Sequence, residues 1–213
     1  MTAFSAPEWL ISPQPVAYPE AMRIMESRVE DIIAGTKPEL IWLLQHPPLY
    51  TAGTSAIFAD LKDAARFPVY ETGRGGRYTY HGPGQRVIYA MVDLRERGKD
   101  LRAHVWRLEE WLIRTITEFG VKGERREGRI GIWVGTPRGE EKIGAIGVRV
   151  RKWVAYHGLA LNVAPDLSHF TGIVPCGLDQ FGITSLKKLG VNATMEEVDA
   201  AFRKHLGILW DAK

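Results

Sequence analysis

Over residues 21–33 the apolar side chains Met22, Met25, Val29, Ile32 and Ile33 return every three or four positions, the spacing of a helix with one buried face. Gly35 and Pro38 end it. Residues 40–44 are an unbroken apolar run, the mark of a short strand covered on both faces, and His46-Pro47-Pro48 stops that strand. From Leu101 the residues Val105, Leu108, Leu112, Ile116 and Phe119 form a second helical stripe, closed by Gly120. Residues 87–94, 130–134, 142–150 and 153–163 read as strands; the last two join tightly around Arg151 and Lys152, a turn without the Asn-Gly chemistry that such hairpins favour. Thr194 with Glu197 three residues on makes a capping box and opens a last helix through Val198, Phe202 and Leu206. The first fifteen residues, with Pro7, Pro13 and Pro15, read as an irregular lead-in. Strands and helices mix without regular βαβ alternation, so the expected fold is α+β, with a mixed, largely antiparallel sheet packed with helices.

Composition narrows the function. The 213 residues are 45% hydrophobic, enough for one domain over residues 1–213 with a well-buried core. A formal net charge of +3 does not advertise nucleic acid as a partner. No stretch approaches the ~18 apolar residues of a spanning helix, and the start lacks the pattern of a secretory signal. The single cysteine permits no internal disulfide, which favours a cytoplasmic enzyme. Six histidines and one cysteine show no metal-ligand spacing, so no metal is expected.

Three places carry candidate chemistry. Cys176, between Pro175 and Gly177, is either a small buried hydrophobe or a nucleophile that needs a neighbouring cation. Lys142 is the candidate cation: strand parity places it with Ile146, Val148 and Val150, while Arg149 and Arg151 point the other way. Residues 73–84 interleave glycines with Arg74, Arg77, Tyr78, Tyr80 and His81; such a tract can cradle a phosphate, bind a carboxylate or simply turn, and it is not a P-loop. His157 shares parity with Leu159, Leu161 and Val163 and is either a core histidine or a site residue.

In this order the pieces resemble the lipoate-pathway octanoyltransferases, the lipoate/octanoate protein transferase B family. The resemblance rests on Arg74-Gly75-Gly76 with Thr79-Tyr80-His81-Gly82-Pro83-Gly84-Gln85, Lys142-Ile143 with Gly147, His157-Gly158-Leu159-Ala160-Leu161-Asn162, Pro175-Cys176-Gly177 and Thr184-Ser185-Leu186. It implies a biotin/lipoate protein ligase-like fold and an acyltransferase that needs no cofactor. It implies that Cys176 holds the acyl group as a thioester and that Lys142 activates the thiol. It places substrate binding on Arg74, Gly75, Gly76, Arg77, Tyr78, Thr79, Tyr80 and His81, on Ala145, Ile146 and Gly147, and on His157, Gly158 and Leu159. The implied donor is octanoyl-acyl carrier protein; the implied acceptors are the lipoyl domains of 2-oxoacid dehydrogenase E2 subunits and the glycine cleavage H protein, served by a monomer with no membrane partner. Two rivals stand beside this reading: an ATP-dependent ligase of the same fold, and a binding module using Arg149, Arg151 and Lys152 as a basic surface.

Overall fold

The computed structural model describes residues 6–175 and 180–210. The elements run β1 (Glu8–Ile11), α1 (Tyr18–Ala34), β2 (Leu40–Leu44), β3 (Leu49–Ala52), β4 (Val69–Glu71), β5 (Tyr78–His81), β6 (Gln85–Asp93), α2 (Leu101–Thr117), β7 (Glu124–Arg126), β8 (Arg129–Thr136), β9 (Gly139–Arg151), β10 (Val154–Asn162), β11 (Gly182–Ile183) and α3 (Met195–Lys204), with short 3-10 turns between them. The main sheet has the order β1-β2-β6-β10-β9-β8-β7, with β11 beside β9. Only β1 with β2 and β11 with β9 pair in parallel among its described strands. A second sheet, β4-β3-β5, stands apart. The fold is therefore α+β with a mixed, largely antiparallel main sheet.

The helices form where their ends and stripes specify them. Pro19 lies in the first turn of α1, and Gly35 closes it in the left-handed region at φ 73°, returning its amide to the last turn. Asp100 caps α2 by accepting from the Ala103 amide at 2.9 Å. The capping box of α3 is present in both directions: Thr194 Oγ1 accepts from Glu197 N at 3.1 Å, and Glu197 Oε2 accepts from Thr194 N at 2.8 Å. The stripes of α2 and α3 bury Leu108, Trp111, Leu112, Ile116, Val198 and Phe202 on one face of the main sheet. On the other face, Met25 and Val29 of α1 pack on Trp42, Tyr89 and Tyr156. Among the described residues no helix is long and apolar enough to cross a membrane.

Three expectations need correcting. The lead-in contains β1, which pairs Glu8–Ile11 with residues 40–43 of β2; four residues between prolines are too few to show a period. The parity reading of Lys142 is also overturned. Ile132 pairs with Gly144 but Trp133 pairs with Lys142, so Ile143 is one residue too many for β8. This β-bulge lets Ile143 join Ile146, Val148 and Val150 on the α2 side and sends Lys142 to the opposite face beside the Trp133 ring. The third concerns His157, which has a positive φ of 60° in mid-strand. The kink removes it from the face of Leu159 and Leu161 and puts it against Tyr89 and Tyr156.

Candidate active site

An apolar cavity of about 430 Å³ runs along the edge of β9, from Lys142 past Ala145, Ile146 and Gly147 to Val148. The edge is open because β8 pairs with β9 only as far as Gly144. Beyond that point β10 is the one strand neighbour of β9 among the described residues. The glycine-rich tract closes the far end, and Gly75 N donates to Val148 O at 3.0 Å.

Arg74 explains how that tract keeps its shape. Its guanidinium is buried and donates to Thr51 Oγ1 at 2.6 Å, to Thr51 O at 3.1 Å, to Arg77 O at 3.2 Å and to Gly75 O at 2.9 Å. The cation thus binds the loop's own carbonyls rather than projecting a free charge. Gly53 belongs to the same knot: a Cβ there would lie 2.2 Å from Gly76 O. Arg77 pairs with the buried Asp60 at 3.1 Å.

Strand alternation sorts the rest of the tract. Thr79 and His81 of β5 face the cavity, whereas Tyr78 and Tyr80 turn into the aromatic cluster of the second sheet with Tyr50 and Phe170. Gly158 and Leu159 line the cavity together with His157.

The buried histidines are neutral by their surroundings. Burial pushes His81 down to about 3, His157 to about 3 and His46 to about 4. His46 lies between Val16 O at 2.6 Å and Tyr89 Oη at 2.7 Å, so Nδ1 carries the proton and Nε2 accepts from the phenol. The Gln85 amide donates to Tyr80 O and Asn162 Oδ1, which leaves its oxygen to accept from His81 Nδ1 at 2.6 Å. His157 Nε2 has no hydrogen-bond partner among the described residues.

Lys142 is 5% exposed, and its ammonium donates to Ile130 O at 2.7 Å. Its backbone is fixed by β11, where Ile183 pairs with Lys142 and Thr184 N donates to Lys142 O at 2.9 Å. Asn162 ties the same segment to Gln85 by donating to Thr184 O at 3.0 Å. Lys142 also lines a small second cavity with Thr79, Gln85, Phe170, Pro175 and Ile183. Cys176, the next residue after Pro175, lies outside the described residues.

Residues 17–207 match the model of the lipoyl protein ligase A/B catalytic domain. The octanoyltransferase of Paramagnetospirillum magneticum is 66% identical over 195 residues, covering 91% of this chain and 92% of the relative. The chain belongs to the octanoyltransferases of the lipoyl protein ligase A/B catalytic family. A second octanoyltransferase, from Rhodospirillum rubrum, is 61% identical over 92% of both chains. Among solved structures, a putative lipoate protein ligase from Thermoplasma acidophilum with bound lipoic acid superposes with a TM-score of 0.72 at 14% identity, covering 96% of this chain and 86% of the other. Lipoate-protein ligase A bound with ATP gives 0.67 at 13% identity, covering 97% and 86%. At such identities they establish the shared fold.

Membership of this family makes the chain an acyltransferase. Sequence reasoning did not find several wall residues of an octanoyltransferase cavity: Tyr18 from α1, Tyr89 from β6, and Leu101 and Ile130 at its rim. Each sits in an element whose periodicity reports only burial, so nothing local marks it. Arg149 and Arg151 make ion pairs with Glu26 and Glu30 of α1 at 4.0 and 3.0 Å. That pairing removes much of the charge a basic docking surface would need.

Proposed function

We propose that this chain takes the octanoyl group of octanoyl-acyl carrier protein onto Cys176 and passes it to the lysine of a lipoyl domain. The observation that carries this reading is the placement of Lys142. A buried ammonium group stands where the large apolar cavity meets the small one, and Pro175, the chain neighbour of Cys176, lines the small cavity with it.

In the first half-reaction the Cys176 thiolate attacks the donor's thioester carbon. The new C–S bond forms, the C–S bond to pantetheine breaks, and the leaving thiolate takes the proton of the Lys142 ammonium, which leaves Lys142 neutral for the second half-reaction. An ammonium group beside the sulfur raises the thiolate fraction at neutral pH. In the second half-reaction the neutral amine of the acceptor lysine attacks the acyl-enzyme. A C–N bond forms, the Cys176 C–S bond breaks, and the amine proton passes to a base, for which Lys142 is the candidate. Thioester exchange followed by amide formation runs downhill and uses no ATP. The acceptors are lipoyl domains of 2-oxoacid dehydrogenase E2 subunits and the glycine cleavage H protein. The enzyme works as a single-domain monomer in the cytoplasm.

The test is intact-mass spectrometry after mixing with octanoyl-acyl carrier protein. One octanoyl adduct, labile to neutral hydroxylamine and missing from Cys176→Ser, is expected. A folded Cys176→Ser enzyme that retains full transfer activity, or that needs ATP for it, would falsify the proposal in favour of a ligase.

A further inference from the structure

From the open edge of β9 the large cavity sends an arm inward between the main sheet and β5, whose Thr79 and His81 form its roof. Two rows of residues in register across β9, β10 and β6 make the floor: Ala145 with Ala160 and Val87, and Gly147 with Gly158 and Tyr89. Residues paired in this way share a face of the sheet, and all six line the cavity. In each row the β9 and β10 members are alanine or glycine and the β6 member is large, so the floor is a trough that stops at β6. Arg74 fills the trough over Gly147, where a Cβ would lie 3.0 Å from Arg74 Cδ. The row of Ala145 and Ala160 is the one that reaches the small cavity beside Lys142, since both alanines line that cavity too. Outside β9 the rest of the large cavity opens past Leu101 and Ile130, which are 40% and 58% exposed.

The length of this trough matches the acyl group that the family transfers. With strands about 4.8 Å apart, the way from β9 to β6 is about 10 Å, and an extended octanoyl group measures about 9 Å from carbonyl carbon to methyl carbon. A thioester beside Lys142 therefore lays its chain over Ala145 and Ala160 and brings the methyl end to Val87. Behind Val87 stands its register partner Leu44 of β2, which is 0% exposed, so the sheet offers no further room. Tyr89 holds the flank, its ring fixed by the 2.7 Å hydrogen bond from Oη to His46 Nε2. We infer that Val87 is the stop that sets acyl length: its isopropyl group meets the terminal methyl of an eight-carbon chain and excludes longer ones. This inference rests on the proposed thioester at the Lys142 junction, and adds to it the residue that decides which donors fit.

Competition among butanoyl-, octanoyl- and decanoyl-acyl carrier protein tests the stop, with acylation of Cys176 read by intact mass. Val87→Ala removes two methyl groups and makes room for two methylenes, so the decanoyl-to-octanoyl ratio of kcat/KM should rise by about tenfold. Ala160→Val blocks the trough one strand earlier, so the octanoyl-to-butanoyl ratio should fall by about tenfold. Thermal melts identify the variants that fold. In a folded variant, either ratio staying within twofold of wild type overturns the stop while leaving the Cys176 thioester intact. If the wild-type enzyme takes no acyl group of any length onto Cys176, the functional reading fails and the inference falls with it.

Discussion

Gly131 and Lys142 meet across β8 and β9 with no room for another atom: a Cβ on Gly131 would lie 2.5 Å from Lys142 Cε and 2.9 Å from Nζ. The glycine also has φ 112°, a conformation that L side chains rarely adopt. Gly131→Ala should therefore displace the ammonium and strain the strand together. We expect stability to fall by about 1–2 kcal/mol and Cys176 acylation to slow by about 100-fold. Denaturant unfolding and rapid-quench mass measurements check the two effects separately, and a rate within twofold of wild type would show that the position of Lys142 is not critical.

Removing the cation itself has a different signature. Lys142→Ala should move the pH profile of Cys176 alkylation by iodoacetamide to higher pH, because the proposed mechanism has this ammonium favour the thiolate. Lys142→Arg should not restore transfer, since a planar guanidinium is a different shape from an ammonium and Gly131 and Ile130 enclose the present group closely. An unchanged alkylation profile in Lys142→Ala would remove Lys142 from the activating role.

The β9–β10 hairpin stores strain away from the chemistry. Lys152 and Trp153 both have positive φ, 47° and 64°, as the tight turn demands, although neither is suited to it. Lys152→Asn should stabilise the protein by about 1 kcal/mol, since Lys152 is exposed and Trp153, at 41% exposure mostly covered, stays in place. Chemical denaturation should show the gain with octanoyl transfer unchanged.

Acid should unfold this protein through its histidines. His46, His81, His104 and His157 are buried and lie at about 4, 3, 4 and 3, against 6.5 when exposed. Between these values the unfolded chain binds protons that the folded one does not. Stability is therefore full above pH 6.5 and falls as pH drops toward 4, each histidine contributing at most about 1.4 kcal/mol of loss for every pH unit below 6.5. His104 is the sharpest case, because neither ring nitrogen has a partner among the described residues. His104→Leu should melt no lower than wild type at pH 7 and clearly higher at pH 5, as thermal melts across that range would show.

Much of the fold was legible because helix stripes, caps and apolar runs are local signals. The stripe from Leu101 and the Thr194–Glu197 box both name their elements directly. The site was legible only in its parts. Alternation assigns a face to Lys142 only while its strand is regular, and the extra residue at Ile143 is decided by β8, far from any pattern within β9. His157 escapes the same rule because its positive φ kinks the strand and its ring packs on Tyr89, which comes from a different strand. Tyr78 and Tyr80 share a motif with Thr79 and His81 yet pack in a different cluster, since consecutive strand residues point in opposite directions.

The bulge at Ile143 also sets what an engineer could change. Inserting or deleting one residue between Lys142 and Gly147 would swing the ammonium across the sheet toward Leu112, whereas a longer tip at Pro137-Arg138 would leave its aim alone. Anyone transplanting this centre onto another scaffold has to copy its counting as faithfully as its side chains.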